Sequence, residues 1–407
     1  MKKIISAILA TLLLLLCGCQ AAPTQQETTV PTTAPAFIAQ DITASAEEAA
    51  ALEALYEGRV PYHGDLHVHT QSGEKSDGKL PLDMWADAMA AKKVDFAVVS
   101  DHRQTTHYDH EAWDDSLFIF ASEGGMRIKS VNPDVLDPQS NHTNYIFPTR
   151  EAMEGMLKEF ALYFNFNSFN GHYQDWGCGN VFTREVAQDL IRYIQDNGGF
   201  FVLVHPASPN ATEGPKSGEL MDFWLVDGTG FEVFIGWYGP SENYEQTKNG
   251  YELWKQLLAA GKKIYATAGS DTHGNPKTES LSTIYVTERN AQNYIDCLRA
   301  GDFSPSPMGV RMVIGDTRMG GTTSFDGQKV IFSVGDFHSY VTDKRSNFRA
   351  VLVSDKGSVA TQEFTADETV YFSMDAEADA KYYYVEIYDA DEDLLIGLGN
   401  PIWNTAG

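Results

Sequence analysis

Between residues 95 and 268 one pattern recurs, in which a short apolar run is followed by a stretch of helical periodicity. The runs are Asp95-Phe96-Ala97-Val98-Val99-Ser100, Phe200-Phe201-Val202-Leu203-Val204, Phe231-Glu232-Val233-Phe234-Ile235 and Lys263-Ile264-Tyr265-Ala266-Thr267-Ala268. They are largely continuous rather than alternating, as in strands covered on both faces. Between them, residues 183–197 place Val186, Leu190, Ile191 and Ile194 on one helical face. Residues 243–260 do the same with Tyr251, Trp254, Leu257 and Leu258. Strand–helix alternation predicts an α/β fold with parallel strands, and the number of units suits a barrel better than a small open sheet. After Gly301 the helical runs stop. Alternating strands are expected near 310–316, 329–335, 348–354, 369–374, 381–388 and 394–400, an all-β, sandwich-like domain over 303–407.

The barrel segment, residues 41–302, follows a different kind of sequence. Lys2 and Lys3 precede an apolar run, Ile4 to Leu16, and then Cys17-Gly18-Cys19. This is the layout of a secretory leader. Leu16-Cys17-Gly18-Cys19 resembles a bacterial lipobox, so residues 1–18 are expected to be a lipoprotein signal peptide and Cys19 the lipidation site. Residues 19–40, rich in Thr, Pro, Ala and Gln, cannot bury enough apolar surface to fold and read as a tether. The expected location is outside the cytoplasm, on the cell membrane, through acyl chains on Cys19. Removing residues 1–18 takes away two lysines and no acid. That leaves 28 basic against 56 acidic residues, a net charge of −28. Such a chain repels a nucleic acid duplex, which is not an expected partner. The remaining cysteines, Cys178 and Cys297, are too few for a disulfide framework. Cys297 reads as a buried apolar residue, with a Cys178–Cys297 bridge as the alternative.

Chemistry-bearing residues fall at the ends of the apolar runs. In Asp65-Leu66-His67-Val68-His69 the two imidazoles are two apart and share a strand face. Ser100-Asp101-His102 follows the run ending at Val99, and Glu123 ends Phe118-Ile119-Phe120-Ala121-Ser122. His142 precedes Thr143-Asn144-Tyr145-Ile146-Phe147. His205-Pro206 closes the run ending at Val204, and Gly269-Ser270-Asp271-Thr272-His273 the run ending at Ala268. In a parallel barrel the strand C-termini meet at one rim, where active sites lie. Any one of these residues alone is more often structural than ligating; their recurrence predicts a metal centre.

In order, Asp65-Leu66-His67-Val68-His69, Ser76-Asp77-Gly78, Ser100-Asp101-His102, Glu123, His205-Pro206 and Ser270-Asp271-Thr272-His273 resemble the motifs of the PHP (polymerase and histidinol phosphatase) superfamily over about residues 60–300. The ending Gly399-Asn400-Pro401-Ile402-Trp403 is similar to that of the CehA/McbA-type metallohydrolases. The resemblance implies a distorted (β/α)7 barrel and two to three divalent transition-metal ions, Zn, Mn or Fe. It implies one ion on His67, His69, Glu123 and Asp271, and a second on Glu123, His142 and His205. Asp77, His102 and His273 would hold the third, with Glu74 competing for the place of Asp77. Imidazole-rich sets of this kind suit transition ions better than Ca²⁺ or Mg²⁺. The implied activity is that of an exported phosphoesterase cleaving phosphomonoesters or phosphodiesters of a small phosphorylated substrate with a metal-activated hydroxide. Two alternatives stay open, a metallohydrolase of carbamates, amides or carboxylic esters, and a ligand- or glycan-binding lipoprotein without catalysis.

Four further expectations concern the surroundings of that centre. Asp101 is expected to orient an imidazole and so to belong to the catalytic group. Arg103, beside His102, is a candidate for binding a phosphate oxygen, with a solvated ion pair as the alternative. His107 and His110 lie in a polar loop and read as solvated, His63 reads as structural, and His338 belongs to the β domain. The aromatic and Asn-rich stretch 160–182 reads either as a substrate wall, with His172 and Trp176 its most interesting members, or as a packing insertion.

Overall fold

The computed structural model describes residues 42–73, 76–129, 139–174, 180–207, 224–236 and 242–406. The leader, Cys19, the tether, Glu74, Trp176 and Cys178 lie outside these residues. The first described element is α1 (Ala46–Leu55), started by a capping box between Ser45 and Glu48.

The main sheet is built from β1 (Val60–Val68), β2 (Phe96–Val99), β3 (Phe118–Ile128) and β4 (Gln139–Ile146). A small hairpin, β5 (Asn165–Asn167) and β6 (His172–Gln174), stands apart. The sheet continues with β7 (Phe200–Leu203), β8 (Gly230–Ile235), β9 (Tyr265–Gly269), β10 (Ser282–Val286) and β11 (Phe303–Ser304). Its strand order is β11-β10-β1-β2-β3-β4-β7-β8-β9. Helices α2 (Leu82–Lys92), α3 (Arg150–Glu159), α4 (Arg184–Asp196), α5 (Glu242–Ala259) and α6 (Ala291–Ala300) fall between the strands. The expected helix at 183–197 forms as α4, with Thr183 accepting from the Val186 amide as N-cap. Its buried stripe is Ala187, Leu190, Ile191 and Ile194. Burying its three large aliphatic side chains contributes on the order of 5–9 kcal/mol before chain entropy is counted.

Two departures from a parallel barrel matter for the site. First, β4 is antiparallel to both β3 and β7, while β1–β2–β3 and β7–β8–β9 are parallel. The N-terminal half of β4 therefore reaches the rim that the other strands reach with their C-terminal ends. Second, closure is confined to that rim. The lower half of one β1 edge pairs with β10, from Val60↔Val286 to Gly64↔Ser282. Only beyond it does β1 meet the exit of β9, through the parallel bridge Val68↔Thr272 and backbone bonds from His69 N to Thr272 O and from Asp271 N to His67 O, each 2.9 Å. The strand ends that carry histidine and aspartate are thus the ones tied together.

The C-terminal strands are β12 (Gly309–Ile314), β13 (Thr317–Arg318), β14 (Thr322–Thr323), β15 (Lys329–Gly335), β16 (Asn347–Ser354), β17 (Gly357–Thr365), β18 (Val370–Asp375), β19 (Tyr382–Asp389) and β20 (Leu394–Asn404). They form sheets ordered β13-β12-β15-β18 and β14-β20-β19-β16-β17. β17 is not among the strands read from the sequence, because only two of its nine positions, Ala360 and Phe364, are buried and it carries little hydrophobic signal. These sheets share one apolar cluster with the barrel. The buried Asn400 side chain accepts from Ala266 N (2.8 Å) and donates to Ala266 O and Phe303 O (3.3 and 3.1 Å), standing in for a strand neighbour of β9. That is the structural use of the Gly399-Asn400-Pro401 ending. α1 lies on the β sheets, where Glu53 pairs with Arg311 at 2.6 Å and accepts from Tyr371 at 2.7 Å.

Candidate metal centre

Nine of the side chains singled out in the sequence meet at the closed rim as three adjoining sets: His67, His69, Glu123 and Asp271; Glu123, His142 and His205; and His69, Asp77, His102 and His273. In the first set, Nε2 of His67 and Nε2 of His69 are 3.2 Å apart. Each is within 3.2 Å of Glu123 Oε2, and they lie 3.6 and 3.1 Å from Asp271 Oδ1. A tetrahedral shell with ligands about 2.0–2.1 Å from a transition ion has edges of about 3.3–3.4 Å. The separations fit such a shell. Neutral chemistry explains the cluster poorly, since two imidazole nitrogens aimed at each other can share only one proton.

Glu123 divides its two oxygens between sets. Oε2 faces His67 and His69, whereas Oε1 lies 2.7 Å from His142 Nδ1 and 3.2 Å from His205 Nε2. In the third set, Asp77 Oδ2 is 3.1 Å from His273 Nε2 and 3.5 Å from His102 Nε2. His69 adds its other nitrogen, Nδ1, at 3.8 Å from Asp77 Oδ1. The gap of 19 residues between Glu123 and His142 in the sequence closes because β3 and β4 are antiparallel, with Gly125 opposite His142. Asp77 is brought in by a tight approach: a Cβ on Gly78 would sit 2.5 Å from the His69 carbonyl.

Exposure grades across the sets. His67 and His69 are fully buried and Glu123 is 1% exposed, but Asp271, His273 and Asp77 reach 30, 35 and 48%. The centre therefore opens on the side of the third set. Above it is a cavity of about 390 Å³, lined by imidazoles and carboxylates of the centre and also by Gln246 and Lys277.

Electrostatics follow from burying opposite charges together. Burial alone would lower the His67 pKa, but Glu232, Asp271 and Glu123 outweigh it and raise it well above the usual value. His69 behaves alike, pushed up to about 9 when its bonds to Asp271 and Glu123 override burial. Against burial, Glu123 is held below the usual carboxylate range by His67, His102, His142 and His205, and Asp271 by His67 and His69. An ion bound among these groups would displace the protons that such raised pKa values favour on the imidazoles.

Backbone strain gathers here too. Arg103, His205 and Asp271 have positive φ of 51°, 30° and 50°, conformations that persist only where surrounding contacts over-determine them.

Two buried carboxylates escaped the sequence reading. Glu232, in β8, accepts from His205 N at 2.7 Å through Oε2, and its Oε1 lies 3.1 Å from His67 Nδ1. It thereby fixes which His67 nitrogen faces the centre. Gly269 makes room for it, since a Cβ there would lie 2.5 Å from both Glu232 Oε1 and His67 Cβ. The signal was present in Phe231-Glu232-Val233, because an acid inside an apolar strand is seldom buried without a partner. Asp65 accepts from Ser270 N (2.9 Å) and His67 N (3.1 Å) and joins β1 to the exit of β9. Burial pushes its pKa up to about 7, against those bonds.

Four expectations about neighbouring residues change. Asp101 accepts from Thr70 N (2.6 Å), Thr70 Oγ1 (2.8 Å), Ser76 Oγ (3.1 Å), Gln104 Nε2 (3.2 Å) and Ser72 Oγ. Hydroxyls and amides fill its acceptor sites, so it organises the turn after β1 instead of orienting an imidazole. Arg103 is tied in by its backbone, its amide donating to Glu123 O (2.8 Å) and its carbonyl accepting from Tyr173 N (3.1 Å). It does not line the cavity; Lys277 supplies the cation there. His172 is also away from the cavity lining, in β6 and bridged to Gln104. Around it Phe164, Tyr173 and Phe182 are core residues, while Leu162 and Phe169 are exposed, and no described residue of 160–182 lines the cavity. His107 is fully buried against Trp113 and Phe120, not solvated, because the loop folds under that aromatic pair.

No family model matches the chain, and neither does any curated protein. Among solved structures it resembles a lesion-specific endonuclease from Pyrococcus furiosus, at 15% identity and TM-score 0.39, over 59% of this chain and 56% of that one. It therefore spans little more than half of the endonuclease. A metal-dependent phosphoesterase from Bifidobacterium adolescentis matches at 17% identity and TM-score 0.35, over 52 and 88% of the two chains. An amidohydrolase from Chromobacterium violaceum matches at 16% and 0.33, over 52 and 87%. These likenesses concern part of the backbone path and assign no activity.

Proposed function

We propose that the chain is a metal-dependent hydrolase that cleaves phosphomonoesters or phosphodiesters, using two to three divalent transition ions at the closed rim. One observation carries this reading: Glu123 presents one oxygen to each of two adjoining ligand sets. A carboxylate shared in this way suits a multi-ion centre. Divalent ions so held lower the pKa of a coordinated water to roughly 7 and neutralise charge developing on a transferring phosphoryl group.

The chain's own residues do the rest. His67, His69, Glu123 and Asp271 hold the inner position, which opens to solvent only through Asp271. His142 and His205 complete the second, and Asp77, His102 and His273 the open third. Glu232 and Asp65 keep the inner imidazole and its strand in place. The carboxylates of Glu123, Asp271, Asp77 and Glu232 would fall short of the positive charge of three divalent ions. A phosphate thus meets a local positive well on an acidic protein, whose exposed charges are screened beyond roughly 8 Å at physiological salt. Lys277 adds a cation at the mouth. In this reading the leader directs export and a lipidated Cys19 holds the enzyme on the outer side of the cell membrane, where its substrate is a small phosphorylated molecule.

The test is a panel of p-nitrophenyl phosphate, bis-p-nitrophenyl phosphate and p-nitrophenyl carboxylic esters, with Mn²⁺ or Zn²⁺ supplied. Turnover of a phosphoester, lost on chelation, is the expected result. Turnover of the carboxylic ester alone would move the reading to the esterase class. No turnover of any member at full metal loading would leave a binding protein.

A further inference from the structure

The cavity over the metal centre has a neighbour. A second cavity of about 670 Å³ adjoins it, and the two share His273 and Lys277 in their linings. The second cavity is also lined by Lys79 and Lys92, with Ala88 and Ala91 of α2 as part of its apolar wall, and no Asp or Glu lines it among the described residues. In a chain with 56 acidic and 30 basic residues, three lysines round one cavity without a carboxylate form a local reversal of charge. None of the three makes an ion pair among the described residues, while lysines elsewhere do, such as Lys329 with Glu48 and Lys356 with Glu377. Their placement is fixed by the fold. Lys79 N donates to His273 O at 2.9 Å, so its segment is joined to the third ligand set. Lys92 ends α2, and the following Lys93 closes that helix in the left-handed region.

We propose that this lysine-lined cavity is a second anion subsite, and that the substrate carries a further anionic group, phosphate or carboxylate, beside the group held at the metal centre. The apolar wall accommodates a short carbon linker between the two. The three ammonium groups, mutually repelling and without acidic partners, gain from an anion placed among them. The inference rests on the phosphoester reading in taking the first anion to be bound at the metals, but binding at the subsite is measurable without turnover.

The experiment compares propylphosphonate with α,ω-alkane bisphosphonates of increasing chain length by calorimetry on the metal-loaded full chain. One bisphosphonate of the series is expected to bind about tenfold more tightly than propylphosphonate. In a Lys79→Gln, Lys92→Gln double variant that advantage should fall to about twofold, with propylphosphonate affinity unchanged. Both lysines are exposed, so the variant is expected to fold and load metal as before. If no bisphosphonate outbinds propylphosphonate, or if the advantage survives in the variant, the subsite does not exist. A bisphosphonate advantage lost in the variant, together with an inert phosphoester panel, would uphold the subsite and overturn the phosphoesterase reading instead.

Discussion

Two groups of buried and half-buried histidines in this molecule sit in opposite surroundings. At the rim, His67, His69 and His205 face Glu123, Asp271 and Glu232, and their pKa values are raised although burial opposes it. Elsewhere the carboxylates do not prevail. His63, stacked edge-on to His338 at 5.3 Å and 2.9 Å from Thr283 Oγ1, is pushed down to about 3 by burial and then by His338. His338 and His107 are lowered as well, burial being the largest cause in each. Burial of an imidazole therefore does not mark a ligand. What sets His67, His69 and His205 apart is that carboxylates converge on the ring strongly enough to overcome desolvation, whereas at His102, also at the rim, burial outweighs Glu123 and Asp77.

The largest expected effect breaks the rim. His67→Ala or Asp271→Ala should lower kcat/KM on the responsive phosphoester by on the order of 10³-fold, about 4 kcal/mol of transition-state stabilisation. His63→Gln should leave turnover within about twofold. Near wild-type rates in either rim variant would erase the distinction between the two groups. Next in size is Glu232→Gln, which keeps the shape but weakens the hold on His67 and His205. A loss of about 10–100-fold in metal affinity or turnover is expected, measured by metal titration with turnover as the second readout. Third, loading with Mn²⁺ or Zn²⁺ should raise the melting temperature and a chelator should reverse it, since an ion at 100 times its Kd stabilises the folded state by about 2.7 kcal/mol. A melting temperature indifferent to both would count against a preformed site.

The smallest effect sharpens the other side. The folded pKa of His63, about 3, lies below the unfolded value of about 6.5. As pH falls through that window the unfolded chain takes up the proton first, so stability is present above about 6.5 and is lost progressively toward 3. Chemical denaturation of the metal-loaded chain should show stability falling between pH 7 and 5. His63→Gln should flatten part of that slope, and an unchanged slope would remove His63 from the account.

How much of this was legible in the sequence differed by element. Strand runs that are apolar throughout, such as Phe96–Val99 and Phe200–Leu203, and helices with a clear stripe, such as α4, form where periodicity placed them. The reversed direction of β4 was not legible, because period-2 patterning carries no information about strand polarity. That reversal is what carries His142 to the rim. Seven of the nine converging donors stand out in the sequence as polar residues at the ends of apolar runs; His142 precedes its run, and Asp77 is marked only by the family resemblance. Glu232 and Asp65 stayed hidden for the converse reason, lying inside a strand where an acid looks like an interruption. His107 was misread because a polar loop sequence does not reveal that Trp113 and Phe120 close over it. The lysines of the second cavity come from three separate stretches of chain, and only the fold brings them together.

The central claim is that the rim is a multi-ion centre bridged by Glu123. The most direct measurement is elemental analysis of the purified chain after saturation with Mn²⁺ or Zn²⁺ and removal of free ion, alongside Glu123→Ala. Two to three equivalents are predicted for the wild type, with at least one fewer in the variant. Less than one equivalent in the wild type, or an unchanged content in the variant, would contradict it.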